Sequence, residues 1–325
     1  KKFWRFPMKK LKKGDHIRVI SPSLSIQAIS GFEANVKAKE KLEELGFNVS
    51  FSSNYFEHVL FDSASIASRV EDIHEAFLDP SVDAVLATIG GFNSNELLPY
   101  LDYDLIAQNP KIICGYSDTT ALLNAIYTKT GIQTYMGPSY SSFKMKEGQE
   151  YQSQSWLKAV TQDNYDLVPS KDWSSDPWYD PTKPRHFMPT EWKVYKAGKA
   201  SGIAIGGNLS TFALLRGTPY APQVENYVLF VEEAEGYPPE HFLREFAALL
   251  QAYPNPQAVI IGRFPKECEM TEEILLAILD KHPLLKTIPV LYDVDFAHTQ
   301  PLFTITIGGQ VTLDTEKMVI HVQTK

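Results

Sequence analysis

The sequence predicts an α/β fold in which the first half of the chain forms a parallel sheet. Short apolar runs with strand character alternate with amphipathic helix patterns between His16 and Gly131. Such alternation is typical of a parallel sheet with helices on both faces. The chain has 325 residues, which is more than one hydrophobic core usually holds, so we expect two domains.

The elements of the first half follow one another in a regular order. Ser30 and Glu33 have the spacing of a capping box, which predicts where the first helix begins. Functional sites in parallel sheets lie at the carboxyl ends of the strands, and both the Gly90–Gly91 pair and Ser117 fall at such ends. The predicted strands are 16–21, 47–52, 82–91 and 111–117, and the predicted helices are 30–45, 67–80 and 119–131, with 95–110 helical in parts.

The pattern changes near residue 140. The segment up to residue 198 is rich in Trp, Tyr, Pro, Ser and Asp and has weak periodicity, so it is predicted to form a linker and a long aromatic loop. The second half mixes α and β patterns, with a strand, a glycine turn and a helix in "SGIAIGGNLSTF" and hairpins at the end. The predicted domains are 8–150 and 200–325, joined by the linker and loop 151–199.

Composition excludes several classes of protein. The net charge of -8 disfavours a nucleic-acid partner, which requires clustered Lys and Arg, and two cysteines are too few for a disulfide framework. No apolar run has the length of a membrane span, so we expect a cytoplasmic protein without a membrane partner. Metal-ligand spacings, a P-loop and a G-x-G-x-x-G motif are missing, so no metal and no cofactor are expected. Met8 is expected to be the native start, and residues 1–7 are left out of the fold prediction.

Ser117 is the first candidate for chemistry, because "CGYSDTTALL" joins a strand to a helix through a sharp turn. Hydrolases expose nucleophilic serines on such turns, although Thr119 replaces the second glycine of the usual G-x-S-x-G motif. A helix-capping serine is the alternative. A nucleophile needs a base, and His298 is the histidine whose position at a strand end suits that role.

Acids and glycines at other strand ends complete the list of candidates. The apolar strand "VLFV" runs directly into Glu232 and Glu233, which are either a buried pair or part of a surface turn. The Gly90–Gly91 pair either presents backbone N–H groups to an oxyanion or forms a tight turn. The residues alone leave both alternatives open.

Four segments resemble the LD-carboxypeptidase family of serine peptidases, and its microcin C immunity branch in particular. They are "GGFNSNELLPYLDYDLIAQNPKIICGYSDTTALLNAIYTKTGIQTYMGP", "AIGGNLSTFALLRGTPYAP", "LFVEEAEGYPPEHFLREFAAL" and "DFAHTQPLFTITIGG", in the order of the family. The resemblance implies a Rossmann-like N-terminal domain, a smaller α/β C-terminal domain, an active site between them, and a homodimer. It also implies a triad of Ser117, His298 and Glu232, with Glu233 as the second choice for the acid, and an oxyanion hole from the backbone N–H groups of Gly91 and Asp118.

The resemblance also bears on the substrate. Ile89 stands before the glycine pair where many murein-cleaving members carry arginine, and the immunity branch is similar to this chain at that point. That branch hydrolyses the amide between an aminoacyl carboxyl and a nucleotide-like phosphoramide or sulfamate. Gly90, Trp173 and Trp178 are the expected substrate contacts, with a tryptophan stacked on the base, although the tryptophans could equally pin the loop to the body. Release of D-Ala from murein tetrapeptide, and a binding protein without catalysis, are the alternative functions.

Overall fold

The computed structural model describes residues 8–296 and 298–325. The first seven residues, which precede the expected start at Met8, lie outside the described residues. The strands are β1 (His16–Ile20), β2 (Asn48–Phe51), β3 (Ala84–Ala87), β4 (Ile112–Gly115), β5 (Thr134–Met136), β6 (Asn164–Leu167), β7 (Asp172–Trp173), β8 (Met188–Pro189), β9 (Lys193–Lys196), β10 (Lys199–Asn208), β11 (Tyr227–Glu232), β12 (Ala258–Gly262), β13 (Val290–Val294), β14 (Ile305–Ile307), β15 (Gln310–Asp314) and β16 (Val319–Gln323).

The helices alternate with these strands and cover the sheets. They are α1 (Gly31–Ala34), α2 (Val36–Glu44), α3 (Ile66–Leu78), α4 (Tyr103–Gln108), α5 (Thr120–Thr130), α6 (Gln149–Thr161), α7 (Leu209–Ala213), α8 (Pro239–Ala252) and α9 (Glu272–Asp280). Among the described residues, no helix combines the length and the apolar composition that crossing a membrane requires.

The first sheet has the strand order β14-β5-β4-β3-β1-β2. Its five N-terminal strands are parallel, and every residue of β3 and β4 is buried, as expected for strands covered on both faces. The edge strand β14 comes from the C-terminal part of the chain and pairs antiparallel with β5. The parallel sheet predicted for the first half is therefore confirmed.

The second sheet has the order β6-β16-β15-β10-β11-β12-β13-β9. The central strands β10 to β13 are parallel, whereas the flanking pairs are antiparallel, which confirms the mixed character predicted for the second half. Strands β7 and β8 form a separate two-stranded ribbon. The chain is thus an α/β protein with two large sheets and one small ribbon.

The structure differs from the predicted elements at two helices. The helix predicted for 30–45 is split at Asn35, whose side chain donates to the carbonyl oxygens of Ile29 and Gly31 and so competes with the helical backbone. Ser30 has a left-handed backbone and does not cap the helix. The range 151–199 was predicted to be linker and loop throughout. Helix α6 overlaps its beginning, and strand β6 lies inside it.

The predicted glycine turn at Gly206 and Gly207 is also wrong, because both residues lie inside β10. A Cβ at Gly206 would collide with Phe230 in the neighbouring strand β11, whereas one at Gly207 would collide with Met136 and Thr120, so Gly207 allows the two halves of the chain to approach closely. The Asn124 side chain of α5 donates to the carbonyl oxygen of Gly206 over 2.8 Å, and the Asn208 N–H donates to the Thr120 hydroxyl over 3.0 Å. Helix α5, which follows Ser117, is thereby held against the strand that leads to Glu232.

Substitution at Gly206 should therefore lower the free energy of unfolding. Its φ of 115° is unfavourable for alanine, and an added Cβ would collide with the carbonyl oxygen of Phe230. We expect Gly206→Ala to cost about 3 kcal/mol or more, since strain and overpacking add. Gly217→Ala is the matched control, because Gly217 also has a positive φ (76°) but open space around it, and should cost only about 1–2 kcal/mol. Equal losses in urea unfolding of the two variants would contradict this account.

Candidate active site

Ser117 lies just beyond the carboxyl end of β4, on a turn with a strained backbone. Its φ is 60°, an unusual value for a residue other than glycine, and the segment Ser117–Thr119 forms a single 3-10 turn before α5 begins. The residue at the N-cap of α5 is Thr119, so the helix-cap alternative for Ser117 is wrong. The Ser117 side chain is half-buried and turns toward the second domain.

His298 connects Ser117 to a buried acid. Its Nε2 lies 3.2 Å from Ser117 Oγ, and its Nδ1 lies 2.6 Å from Glu232 Oε2. In the tautomer with the proton on Nδ1, the ring donates to the carboxylate and accepts from the serine hydroxyl. The structure thus brings together three residues that the sequence separates by up to 181 positions.

Glu232 is held in place by the neighbouring strand. It is the last residue of β11, it is 0% exposed, and it lies in register with Asn208 at the end of β10. The Asn208 amide donates to Glu232 Oε1 over 2.9 Å, while the Asn208 side-chain oxygen accepts from the backbone N–H of Thr211. Because the oxygen is occupied in this way, the amide N–H group must face the carboxylate.

Glu233 points away from the histidine that Glu232 contacts. Its oxygens accept from Ser210 Oγ over 3.1 Å and lie 3.2 Å from His241 Nδ1. Burial, followed by the charge of Glu232, raises the pKa of Glu233 to about 8. The two acids are both buried, so the surface-turn alternative is wrong, and Glu232 is the acid that reaches His298.

The electrostatics of His298 are dominated by acids. Burial lowers its pKa, but the carboxylate of Glu232, with smaller contributions from Glu235 and Glu233, offsets this effect and holds the pKa above the ordinary 6.5. The ring of Tyr116 packs edge-on against the imidazole with a centroid separation of 5.4 Å. The site therefore favours a basic imidazole with a restricted orientation.

Gly90 lies beside the serine oxygen and the backbone nitrogen of Asp118, and Gly91 follows it in the chain. A Cβ at Gly90 would lie 3.1 Å from Ser117 Oγ and 3.5 Å from the backbone nitrogen of Asp118, so glycine leaves space there. Gly91 packs equally closely against Leu24. The Asp118 carboxylate accepts from the N–H of Ser94 over 2.8 Å and from the hydroxyl of Ser23, which fixes this turn.

The two candidate tryptophans occupy different surroundings. Trp173 carries the guanidinium of Arg263 over its ring, at 4.5 Å from the centroid, and the next residue, Ser174, forms a bridge with Gln300. Trp173 is thus close to the segment that contains His298. Trp178 is half-buried and meets Tyr179 edge-on, with a centroid separation of 5.8 Å.

Several contributors were missed by the sequence analysis. Asn208 could have been found, because it follows a predicted strand whose neighbour ends in Glu232. Tyr116 and Arg263 had no local signal, since their contacts with the His298 segment are long-range. Within residues 8–296 and 298–325, no group of three or more His, Cys, Asp or Glu side chains is arranged to hold a metal ion. The expected lack of a metal and a cofactor stays a prediction.

Comparison with known proteins places this chain in a family. Residues 17–137 match the LD-carboxypeptidase N-terminal domain and residues 201–313 match the LD-carboxypeptidase C-terminal domain. The chain belongs to the LD-carboxypeptidase family. Membership supports a serine peptidase or a related hydrolase, in agreement with the resemblance found in the sequence.

Relatives of this LD-carboxypeptidase family member include immunity proteins. The chain is 43% identical to YocD of Bacillus subtilis, over 94% of this chain and 95% of that protein. It is 32% identical to the microcin C7 self-immunity protein MccF of Escherichia coli, over 87% and 86% of the two chains. Among solved structures, the MccF-like protein of Bacillus anthracis has a TM-score of 0.94 and 44% identity, and the alignment covers 98% of this chain and 100% of that one.

The ionisation of His298 gives a direct test of the site geometry. We expect Glu232→Gln to lower the pKa of His298, because the charge that raises it is removed while burial remains. Histidine ring resonances followed by NMR across pH would measure the change, with His298→Gln used for assignment. Glu235→Gln is the control, because Glu235 is exposed and contributes less than Glu232, so the loss of its charge should lower the pKa of His298 by a smaller amount. An unchanged His298 pKa in Glu232→Gln would contradict the structure.

Proposed function

We propose that the protein is a serine hydrolase that cleaves the amide between an aminoacyl carboxyl and a nucleotide-like phosphoramide or sulfamate. This activity would confer resistance to antibiotics of the microcin C type. The observation that carries the proposal is the hydrogen-bonded series Ser117–His298–Glu232, assembled in a chain related to MccF. We further propose that the protein acts in the cytoplasm as a homodimer on a small-molecule substrate.

In the proposed mechanism, Ser117 attacks the scissile carbonyl. His298 accepts the serine proton on Nε2 as the new C–O bond forms, and Glu232 stabilises the imidazolium through Nδ1–H. The backbone N–H groups of Gly91 and Asp118 donate to the tetrahedral oxyanion. His298 then returns the proton to the leaving nitrogen as the amide breaks, and a water molecule, activated by the same imidazole, releases the acyl group and regenerates the serine.

Related solved structures support a nucleotide-like leaving group. MccF has been solved in complex with aspartyl sulfamoyl adenosine, at 30% identity to this chain, with a TM-score of 0.89 and 98% coverage of both chains. It has also been solved with adenosine monophosphate. The murein alternative is supported by less similar relatives. They are the "Probable murein peptide carboxypeptidase" of Bacillus subtilis, 26% identical over 94% of this chain, and the murein tetrapeptide carboxypeptidase of Pseudomonas aeruginosa, 25% identical over 76% of each chain.

The loop tryptophans are the proposed contacts of the nucleobase, with Gly90 leaving room for the aminoacyl part. Arg263 already covers one face of Trp173, so we assign the stacking contact to Trp178. The loop that holds Trp178 is anchored near the end of β12 by a hydrogen bond of 2.9 Å from the Lys266 N–H to Ser175 Oγ. This anchor places the loop beside the strand that neighbours Glu232.

The wild-type protein should release aspartate from aspartyl sulfamoyl adenosine, and Ser117→Ala should lower kcat by roughly five to six orders of magnitude. The expected loss is large because base and acid have no function without the nucleophile. Product release can be followed by chromatography. Ser210→Ala is a matched control, because this neighbouring serine contacts Glu233 rather than His298, and it should retain most of the activity.

The outcomes distinguish the candidate functions. Turnover that persists undiminished in Ser117→Ala would contradict the mechanism, whatever the substrate. Release of D-Ala from murein tetrapeptide, without turnover of the sulfamoyl adenosine, would favour the murein alternative. Binding of either compound without any turnover would favour a binding protein.

Trp178→Ala should raise KM for the sulfamoyl adenosine about fivefold to a hundredfold, because one stacked base is worth about 1–3 kcal/mol. Trp178→Phe should lose less, since it keeps an aromatic face. Steady-state kinetics with the two variants would measure the difference. If KM is unchanged in Trp178→Ala but raised in Trp173→Ala, then the stacking contact belongs to Trp173.

A further inference from the structure

A buried ion pair lies directly behind the segment that carries His298. Arg263 follows β12 and is 4% exposed, and Asp295 follows β13 and is 0% exposed. Both guanidinium Nη atoms donate to Asp295 Oδ1 over 3.2 Å. The pair lies at the carboxyl ends of adjacent parallel strands.

The pair is connected to both sides of His298. Asp295 precedes the histidine by three residues, and Thr299 follows it directly. Arg263 Nη1 also donates to the hydroxyl of Thr299 over 3.2 Å, and Thr299 is fully buried. One guanidinium therefore holds two residues that flank the imidazole.

The same pair also holds two points of the segment 151–199, which contains the aromatic loop. Asp295 Oδ2 accepts from the N–H of Ser170 over 2.8 Å and from Trp192 Nε1 over 2.9 Å. The Arg263 guanidinium lies over the ring of Trp173, and Ser174 exchanges two backbone hydrogen bonds with Gln300, of 2.9 and 3.1 Å. Every oxygen of the buried carboxylate thus has a partner, and the partners come from three separate segments.

Stability alone does not account for this arrangement. Desolvation of a buried ion pair largely cancels its attraction, and apolar residues of similar volume are often at least as stable. Directional hydrogen bonds instead specify one conformation for a segment that lies outside the sheet ladder. The contact between His298 Nδ1 and Glu232 requires one fixed ring orientation. A tilt of the ring would break this contact and would also displace Nε2 from the serine.

We propose that Arg263 and Asp295 are positioning residues for His298, with Thr299 as the direct link and Trp173 as the connection to the aromatic loop. The catalytic part of this inference rests on the proposed function. The geometric part does not, because it concerns the orientation of the imidazole relative to Glu232. The pair as a whole is neutral, so we expect it to act through alignment and not through charge.

Thr299→Val and Thr299→Ser provide the test. Valine keeps the shape but removes the acceptor for Arg263, so kcat should fall about tenfold, as expected for a lost hydrogen bond to a charged group. KM should change by less than about threefold, and Thr299→Ser should restore kcat to within about threefold of wild type. A purely structural role for the hydroxyl would instead lower the melting temperature of Thr299→Val and leave kcat unchanged, and that result would overturn the proposal.

Arg263→Lys is the second variant, in case Thr299→Val does not fold. Lysine keeps a positive charge beside Asp295 but cannot hold Thr299 and cover Trp173 at the same time. We expect the same selective fall in kcat. Wild-type kcat in Arg263→Lys would contradict the proposal.

An NMR measurement separates this inference from the proposed function. The short contact between His298 Nδ1 and Glu232 predicts a low-field proton resonance, identified by its loss in His298→Gln. The resonance should shift or broaden in Thr299→Val and Arg263→Lys and persist in Thr299→Ser. Failure of the wild type to cleave any tested substrate would refute the proposed function and leave this test intact. An unperturbed resonance in both Thr299→Val and Arg263→Lys would refute the positioning role.

Discussion

The contact between α5 and β10 is the constraint on which the candidate site depends. Ser117 lies at the start of the turn before α5, whereas Glu232 lies beside the end of β10, so the separation of these two elements sets the separation of nucleophile and acid. Glycine at 207 removes a side chain that would collide with Met136 and Thr120, and hydrogen bonds from Asn124 and to Thr120 hold the two elements together. The imidazole of His298 then spans the remaining gap.

Two adjacent glutamates at the end of β11 lie in different environments. Glu232 accepts from Asn208 and His298, whereas Glu233 is held by Ser210 and lies beside His241. Burial, and then the neighbouring carboxylate, raises the pKa of Glu233 from 4.5 to about 8. The folded chain therefore keeps a proton that the unfolded chain releases, so this group lowers the stability increasingly as the pH rises between those two values.

The local sequence pattern predicted much of the fold and individual residues of the site, but not which of these residues contact one another. The strand-to-turn junction at Ser117 is visible in the sequence, because an apolar run, a glycine and a helix follow one another within a few residues. Helix α6 was missed because half of its buried face is polar, with Gln149, Gln152 and Ser153 inside, so hydrophobic periodicity could not reveal it. The choice between Glu232 and Glu233 depends on which face each side chain takes at the strand end, and only the pairing of β10 with β11 determines that. The edge strand β14 illustrates the same limit, since its partner β5 lies about 170 residues earlier.

The raised pKa of His298 has two opposing consequences for the proposed chemistry. A more basic imidazole takes the serine proton more readily, but it is also protonated over a wider pH range and is then unable to act as a base. The structure supplies the acids that raise the basicity, and it also supplies burial, which opposes them, together with the ring of Tyr116 against the imidazole. Because Nδ1 contacts Glu232 and Nε2 contacts Ser117, a tilt of the imidazole would weaken the base and disturb its contact with the serine at the same time. A rigid support behind the histidine, such as the buried pair of Arg263 and Asp295, is therefore a requirement of the site.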